Sequence, residues 1–201
     1  MRNFIDEIIK GSINASSCLY EQTELLYIAS NIIEERFKQG YKLFTFGNGG
    51  SAADAQHIAA EFVGKFKREK IRKGLPAIAL TTDSSFLTAW SNDCDFSTVF
   101  ERQVETYAKP RDILWGISTS GNSENVIKAL EKGREIGTYN LSFTGRDGGR
   151  IKEISDININ IPVYETARIQ EAHLLAYHII CELVENKLIS ENDTIKPYKP
   201  L

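Results

Sequence analysis

From Tyr41 onward, short apolar runs alternate with stretches in which apolar residues recur every three or four positions. The runs Lys42 to Phe46, Ala77 to Thr81, Ile113 to Ile117, Asn140 to Phe143 and Asn158 to Ile161 read as strands. Helical periodicity occupies about 51 to 66, 85 to 91, 95 to 108, 123 to 136 and 166 to 188. Strands that are largely apolar, each followed by a helix, predict an α/β fold: a doubly wound five-stranded parallel sheet covered on both faces. Residues 2 to 38 read instead as two helices, the second carrying Leu25, Ile28, Ala29, Ile32 and Ile33 against Glu24, Glu34, Glu35 and Arg36. An amphipathic pair of this kind needs a cover, which is either its own sheet or copies of itself. The expected organisation is one domain over 1–201. It comprises a helical extension at 1–38 serving oligomerisation, the sheet core at 39–190 and a short polar tail at 191–201 that ends DTIKPYKPL.

Composition narrows the partners. The chain has 201 residues, 42% apolar and 25% charged, which sets aside disordered and fibrous classes. A net charge of -3 leaves no basic footprint for nucleic acid. Cys18, Cys94 and Cys181 have neither pairing nor metal-ligand spacing, which favours a reducing, cytoplasmic setting. Asp6 and Glu7 interrupt the N-terminal apolar run, so no signal peptide is expected, and no stretch approaches the roughly 20 apolar residues of a membrane span. Only three histidines occur, His57, His173 and His178, and neutral-pH acid/base or metal chemistry would have to draw on them.

In parallel sheets, ligands bind beyond the carboxyl ends of the strands, so the turns after strands are where chemistry is sought. The first turn, Gly47-Asn48-Gly49-Gly50-Ser51, lets backbone approach a ligand closely and opens a helix whose N-terminus favours an anion. With Ala52 it also matches a dinucleotide fingerprint, which alone is a weak signal, since glycine also serves plain helix-sheet packing. The turn after Ile117, Ser118-Thr119-Ser120-Gly121-Asn122-Ser123, puts four hydroxyls around one glycine at a helix start, an arrangement suited to a terminal phosphate. A helix cap would need only one of them. Thr144 to Gly149 form a further glycine turn that borders the site. His57 and Glu61 share one helix face four residues apart, a spacing open to metal chelation, to acid/base work or to a simple surface pair. On the last helix His173 and His178 diverge by about 140°, so one of them is expected to be structural. Spacing alone pairs Gln170 with His173, since Gln170 and His178 are about 12 Å apart along the axis.

Taken in order, Gly47-Asn48-Gly49-Gly50-Ser51, His57-x-x-x-Glu61, Trp90-Ser91-Asn92-Asp93, the serine loop and Arg168-Ile169-Gln170-Glu171-x-His173 through His178 resemble the sugar isomerase (SIS) domain family. Within it they resemble the phosphoheptose isomerases, over almost the whole chain. The resemblance implies a flavodoxin-like sheet and an aldose-ketose isomerase acting on sedoheptulose 7-phosphate through an enediolate. It assigns Glu61 as base and His178 as acid. Asn48, Gly49, Gly50, Glu61, Asn92, Asp93, Ser118, Thr119, Ser120, Ser123 and Gln170 become substrate ligands. It also implies one Zn²⁺ per subunit on His57, Glu61, Gln170 and His178, and a homotetramer with sites near subunit interfaces, with His173 left dispensable. Ala167 departs from the pattern, standing where heptose isomerases often carry an acidic residue. Two other readings compete. A non-catalytic SIS module, binding a sugar phosphate or a partner such as a replication initiator, would have no need of Glu61 or His178. An oxidoreductase using Gly47, Gly49 and Ala52, with Asp83 on a ribose hydroxyl, would leave the serine loop without a purpose.

Overall fold

A computed structural model describes residues 1–67 and 72–190. The tail expected at 191–201 lies outside the described residues. Five strands, β1 (Leu43–Gly47), β2 (Ala77–Ala79), β3 (Ile113–Ser118), β4 (Tyr139–Gly145) and β5 (Ile157–Ile161), form one all-parallel sheet in the order β2-β1-β3-β4-β5. This is the doubly wound arrangement, with its switch point between β1 and β3, so the turns after those two strands meet in one crevice. The chain pattern forecasts each strand to within a few residues: β1, β3 and β4 are nearly continuous buried runs, while β2 exposes Ile78 and β5 alternates buried isoleucines with half-buried asparagines.

On one face α2 (Thr23–Lys38), α3 (Gly50–Val63) and α8 (Thr166–Ser190) cover Leu43, Trp115, Ile117, Leu141 and Phe143. On the other, α5 (Val99–Tyr107), α6 (Glu124–Ile136) and the short α7 (Gly149–Glu153) cover Phe44, Phe46 and Leu114. Between β2 and α5 lies α4 (Ser84–Asp93), none of whose residues is buried. The helix expected at 95–108 divides into a 3-10 turn, Phe96–Thr98, and α5, because Asp95 accepts from the Ser97 amide and caps a separate start.

The N-terminal pair is α1 (Arg2–Ser17) and α2, joined by a 3-10 turn at Cys18–Gln22. In α2 the buried stripe is Leu26, Ala29, Ile33 and Phe37, with Leu25 at the exposed margin, one position round from the stripe expected. This stripe packs on α8 and the sheet. By contrast α1 buries only Ala15 and leaves Phe4, Ile5, Ile8, Ile9 and Ile13 exposed. The three cysteines are free thiols, and among the described residues no helix is long and apolar enough to cross a membrane.

Candidate active site

The first turn closes β1 and opens α3. Gly49 sits at φ 56° as the residue before α3, where a Cβ would be strained, and no side chain caps the helix. Asn48 is fixed by a reciprocal amide pair with buried Asn125 of α6, 2.8 Å in each direction. Across the crevice, Ser118 Oγ lies 2.8 Å from Ser123 Oγ and 3.3 Å from Ser120 Oγ. Ser123 occupies the cap position of α6, yet its hydroxyl makes no capping bond. That distinguishes the loop from a cap cluster: two uncapped helix N-termini face a cavity of about 280 Å³ lined by Asn48, Gly49, Gly50, Ser118, Thr119, Ser123, Thr166 and Gln170. Free amides, hydroxyls and aligned dipoles suit this cavity to an anion.

The glycine turn after β4 braces the serine loop from behind. Ile151 N donates to Gly121 O at 3.0 Å and Arg150 N to Asn122 Oδ1 at 3.1 Å. Gly121, at φ 66°, lies so close that a Cβ there would fall 2.1 Å from the Gly148 carbonyl oxygen. Gly121→Ala is therefore expected to cost more than the roughly 1–2 kcal/mol of left-handed backbone alone, and to raise the KM for a phosphorylated substrate. Thermal melting and steady-state kinetics check this; an unchanged Tm and KM would show that the brace is slack.

The second cluster lies further along α3. His57 Nε2 is 3.0 Å from Glu61 Oε1, and His178 reaches across from α8, its ring centroid 5.0 Å from that of His57. Ligand atoms of all three lie within 4.8 Å of one another. Burial, then the nearby His57, holds His178 below the ordinary histidine value, against the opposing pull of Glu61. Two imidazoles and a carboxylate at this separation can hold a divalent cation or share a proton.

Some expected residues stand elsewhere. Gln170 packs its amide against Gly50, where a Cβ would lie 2.4 Å from Nε2, and it lines the anion cavity. Gly50 and His57 are about 10 Å apart along α3, so the Gln170 amide meets the start of that helix and the histidine lies two turns further along it. Asn92 and Asp93 end α4, exposed and bonded to each other at 2.8 Å, away from the cavity wall. Asp83, considered for a ribose, instead caps α4 by accepting from Phe86 N at 3.0 Å.

Of the two histidines on α8, His173 is the structural one. It is fully buried, donates from Nε2 to Thr144 O at 2.9 Å and lies beside Phe143, with burial pushing its pKa down to about 4. It takes no part in either cluster, but its loss would open a hole beneath β4. Sequence reasoning missed Asn125, Asp54, Tyr177 and Arg72, whose importance lies in which neighbours the fold gives them. Only Tyr177, next to His178 on an otherwise apolar stretch, left a trace.

Residues 12–145 match the SIS domain family. The phosphoheptose isomerase of Clostridium acetobutylicum is 47% identical over 194 residues, covering 95% of this chain and 98% of that one. That of Crocosphaera subtropica is 56% identical over 160 residues, covering 80% and 81%. Among solved structures, phosphoheptose isomerase GmhA from Neisseria gonorrhoeae superposes with a TM-score of 0.86 at 39% identity, over 92% of this chain and 98% of that chain. A phosphoheptose isomerase from Francisella tularensis gives 0.84 at 31% identity, over 92% and 97%. With a family model matched over residues 12–145 and close to half its residues identical to a relative along almost the whole length of both, the chain belongs to the phosphoheptose isomerase family of SIS-domain proteins.

Proposed function

We propose that the protein interconverts sedoheptulose 7-phosphate and D-glycero-D-manno-heptose 7-phosphate, the opening step toward nucleotide-activated heptose for surface polysaccharide. The observation that carries this reading is the His57, Glu61 and His178 cluster in a chain that also builds an anion cavity. A sensor of sugar phosphate or a binding module for another protein needs the cavity and has no use for the cluster.

The phosphate end meets the hydroxyls of Ser118, Thr119, Ser120 and Ser123 and the uncapped start of α6. Asn48, Gly49, Gly50 and Gln170 line the same cavity and suit the sugar hydroxyls; Asn92 and Asp93 would approach only from another direction. Glu61 takes a proton from C1 of the ketose as C1 and C2 become doubly bonded. The ring N–H of His178 protonates the C2 oxygen, and its held-down pKa keeps it neutral at pH 7, able to accept the proton of the C1 hydroxyl in turn. Glu61 then returns its proton to C2, and the aldose is complete. Two histidines and one carboxylate form a donor set that zinc favours, so His57, Glu61 and His178 would hold Zn²⁺. When bound, the ion supplies Lewis-acid polarisation of the oxygens at C1 and C2.

Glu61 stands roughly 16 Å along α3 from Gly50. The seven bonds from C2 of the heptose to its phosphorus span only about 8 Å, at a chain reach of about 3.6 Å per three bonds. A substrate anchored in one chain's serine loop therefore meets Glu61 and His178 of another copy, within a homotetramer. Such sharing would also bring Gln170 to the ion as a fourth ligand. The exposed apolar residues of α1 supply surface for that assembly to bury.

Incubation with sedoheptulose 7-phosphate is expected to yield the aldose, with activity lost on dialysis against a chelator and regained with zinc. Tight sugar-phosphate binding without turnover would favour the sensor. Full activity in protein free of metal would remove the ion from the mechanism.

A further inference from the structure

Behind the cluster lies a second line of polar groups that the reaction above does not use. Tyr177 precedes His178 on α8, and its ring is fully buried. Its hydroxyl oxygen lies 2.9 Å from Nδ1 of His57, the ring nitrogen opposite the one that faces Glu61. The same hydroxyl lies 3.5 Å from Oδ1 of Asp54, one turn before His57 on α3. The other carboxylate oxygen, Asp54 Oδ2, is buried and has no hydrogen-bond partner among the described residues.

Proton counting gives this chain of contacts a direction. A carboxylate only accepts, and a tyrosine hydroxyl has one proton to give. With no cation present, the Glu61 carboxylate takes the Nε2 proton of His57, and Nδ1 is left to accept from Tyr177. With a cation on Nε2 the ring proton must sit on Nδ1; the Tyr177 oxygen then accepts it at 2.9 Å, and the Tyr177 proton turns to Asp54, whose other oxygen has no partner among the described residues. Burial and Asp54 both push the Tyr177 hydroxyl further from ionising, so it remains a neutral link.

We propose that Asp54 and Tyr177 are positioning residues for a divalent cation: through the Tyr177 hydroxyl they receive the Nδ1 proton of His57 when Nε2 takes up the ion, and they hold Nε2 toward Glu61 and His178. Neither residue touches the sugar. Metal-bound histidines characteristically donate their other ring N–H to a neighbour that fixes the ring, and loss of that neighbour typically costs about 10- to 100-fold in metal affinity. Here the neighbour is a phenol backed by a buried carboxylate. The proposal rests on reading the cluster as a cation site, and its test is chosen to stand apart from catalysis.

Nitrogen-15 NMR, with His57 assigned by a His57→Gln variant, is expected to show the ring proton on Nε2 in metal-free protein and on Nδ1 once zinc is added. A His57 that keeps its proton on Nε2 in zinc-loaded protein overturns the proposal. Zinc titration against a chromophoric chelator is then expected to give 10- to 100-fold weaker binding for Tyr177→Phe, which keeps the ring volume, and for Asp54→Asn, which keeps the carboxylate shape without its charge. Wild-type affinity in both variants, with circular dichroism unchanged, also overturns it. A wild-type protein that binds no zinc while His57 keeps its proton on Nε2 would refute the cation reading, and the positioning role with it.

Discussion

Glutamine in place of Glu61 is expected to leave the protein folded and its KM near that of the wild type, while kcat falls by roughly 10²- to 10⁴-fold, the usual contribution of a general base. The side chain is partly exposed and contacts His57 Nε2 through one oxygen, so an isosteric amide disturbs little packing. What it removes is the only carboxylate in the cluster. Metal analysis of the variant separates loss of the base from loss of the ion. A Glu61→Gln enzyme with full activity would end the proposed chemistry. The same variant tests the shared site. Mixed with a Ser120→Ala, Ser123→Ala protein impaired at the phosphate, Glu61→Gln subunits are expected to regain turnover, since some pairs unite an intact loop with an intact base. Subunits that stay inactive after exchange would place both halves in one chain.

The fold was legible because its three central strands are apolar runs, β5 alternates isoleucine with asparagine, and its long helices are periodic, patterns set by where each element is buried in a parallel sheet. What escaped the pattern is local or non-local in a way that periodicity does not encode. The five residues of α7 are too few to show a repeat, and Asp95 breaks a continuous apolar helix by capping a new one. In α2 the ambiguity between Leu25 and Leu26 turns on which neighbour α8 presents. The same limit acted on the histidines. Helix geometry shows that His173 and His178 face apart, but only the tertiary structure shows that His173 meets a strand carbonyl and His178 meets His57. The serine loop could be read in full because its chemistry is contiguous in sequence. The cluster required α3 and α8, more than a hundred residues apart in sequence, to meet, and Gln170, two turns before His178, also lines the anion cavity.

The largest loss of stability is expected from Arg72→Met. Arg72 is nearly buried, and its side chain joins the end of α3 to α8. Its terminal nitrogens donate to Phe62 O at 2.8 Å, to Glu61 O at 2.9 Å and to Lys73 O at 3.2 Å, while Nε pairs with the buried carboxylate of Glu185. It thus supplies donors to helix carbonyls that α3 itself leaves unpaired, and a countercharge to an acid that water does not reach. Methionine fills much of the space but leaves Glu185 a buried, unpaired charge, a change that costs about 3–5 kcal/mol in comparable pairs. At about 2–4 °C per kcal/mol for a chain of this size, the melting temperature should fall by roughly 6–20 °C. Glu185→Gln, which can still accept from Nε, is expected to cost less, and adding it to Arg72→Met should recover part of the loss because no charge is then stranded. Since Arg72 holds the carbonyl of Glu61 itself, a slackened helix end also moves the proposed base relative to His178, and kcat measured well below the melting temperature should fall with it. If Arg72→Met melts with the wild type, the pair is a surface contact in solution and the cluster has some other support.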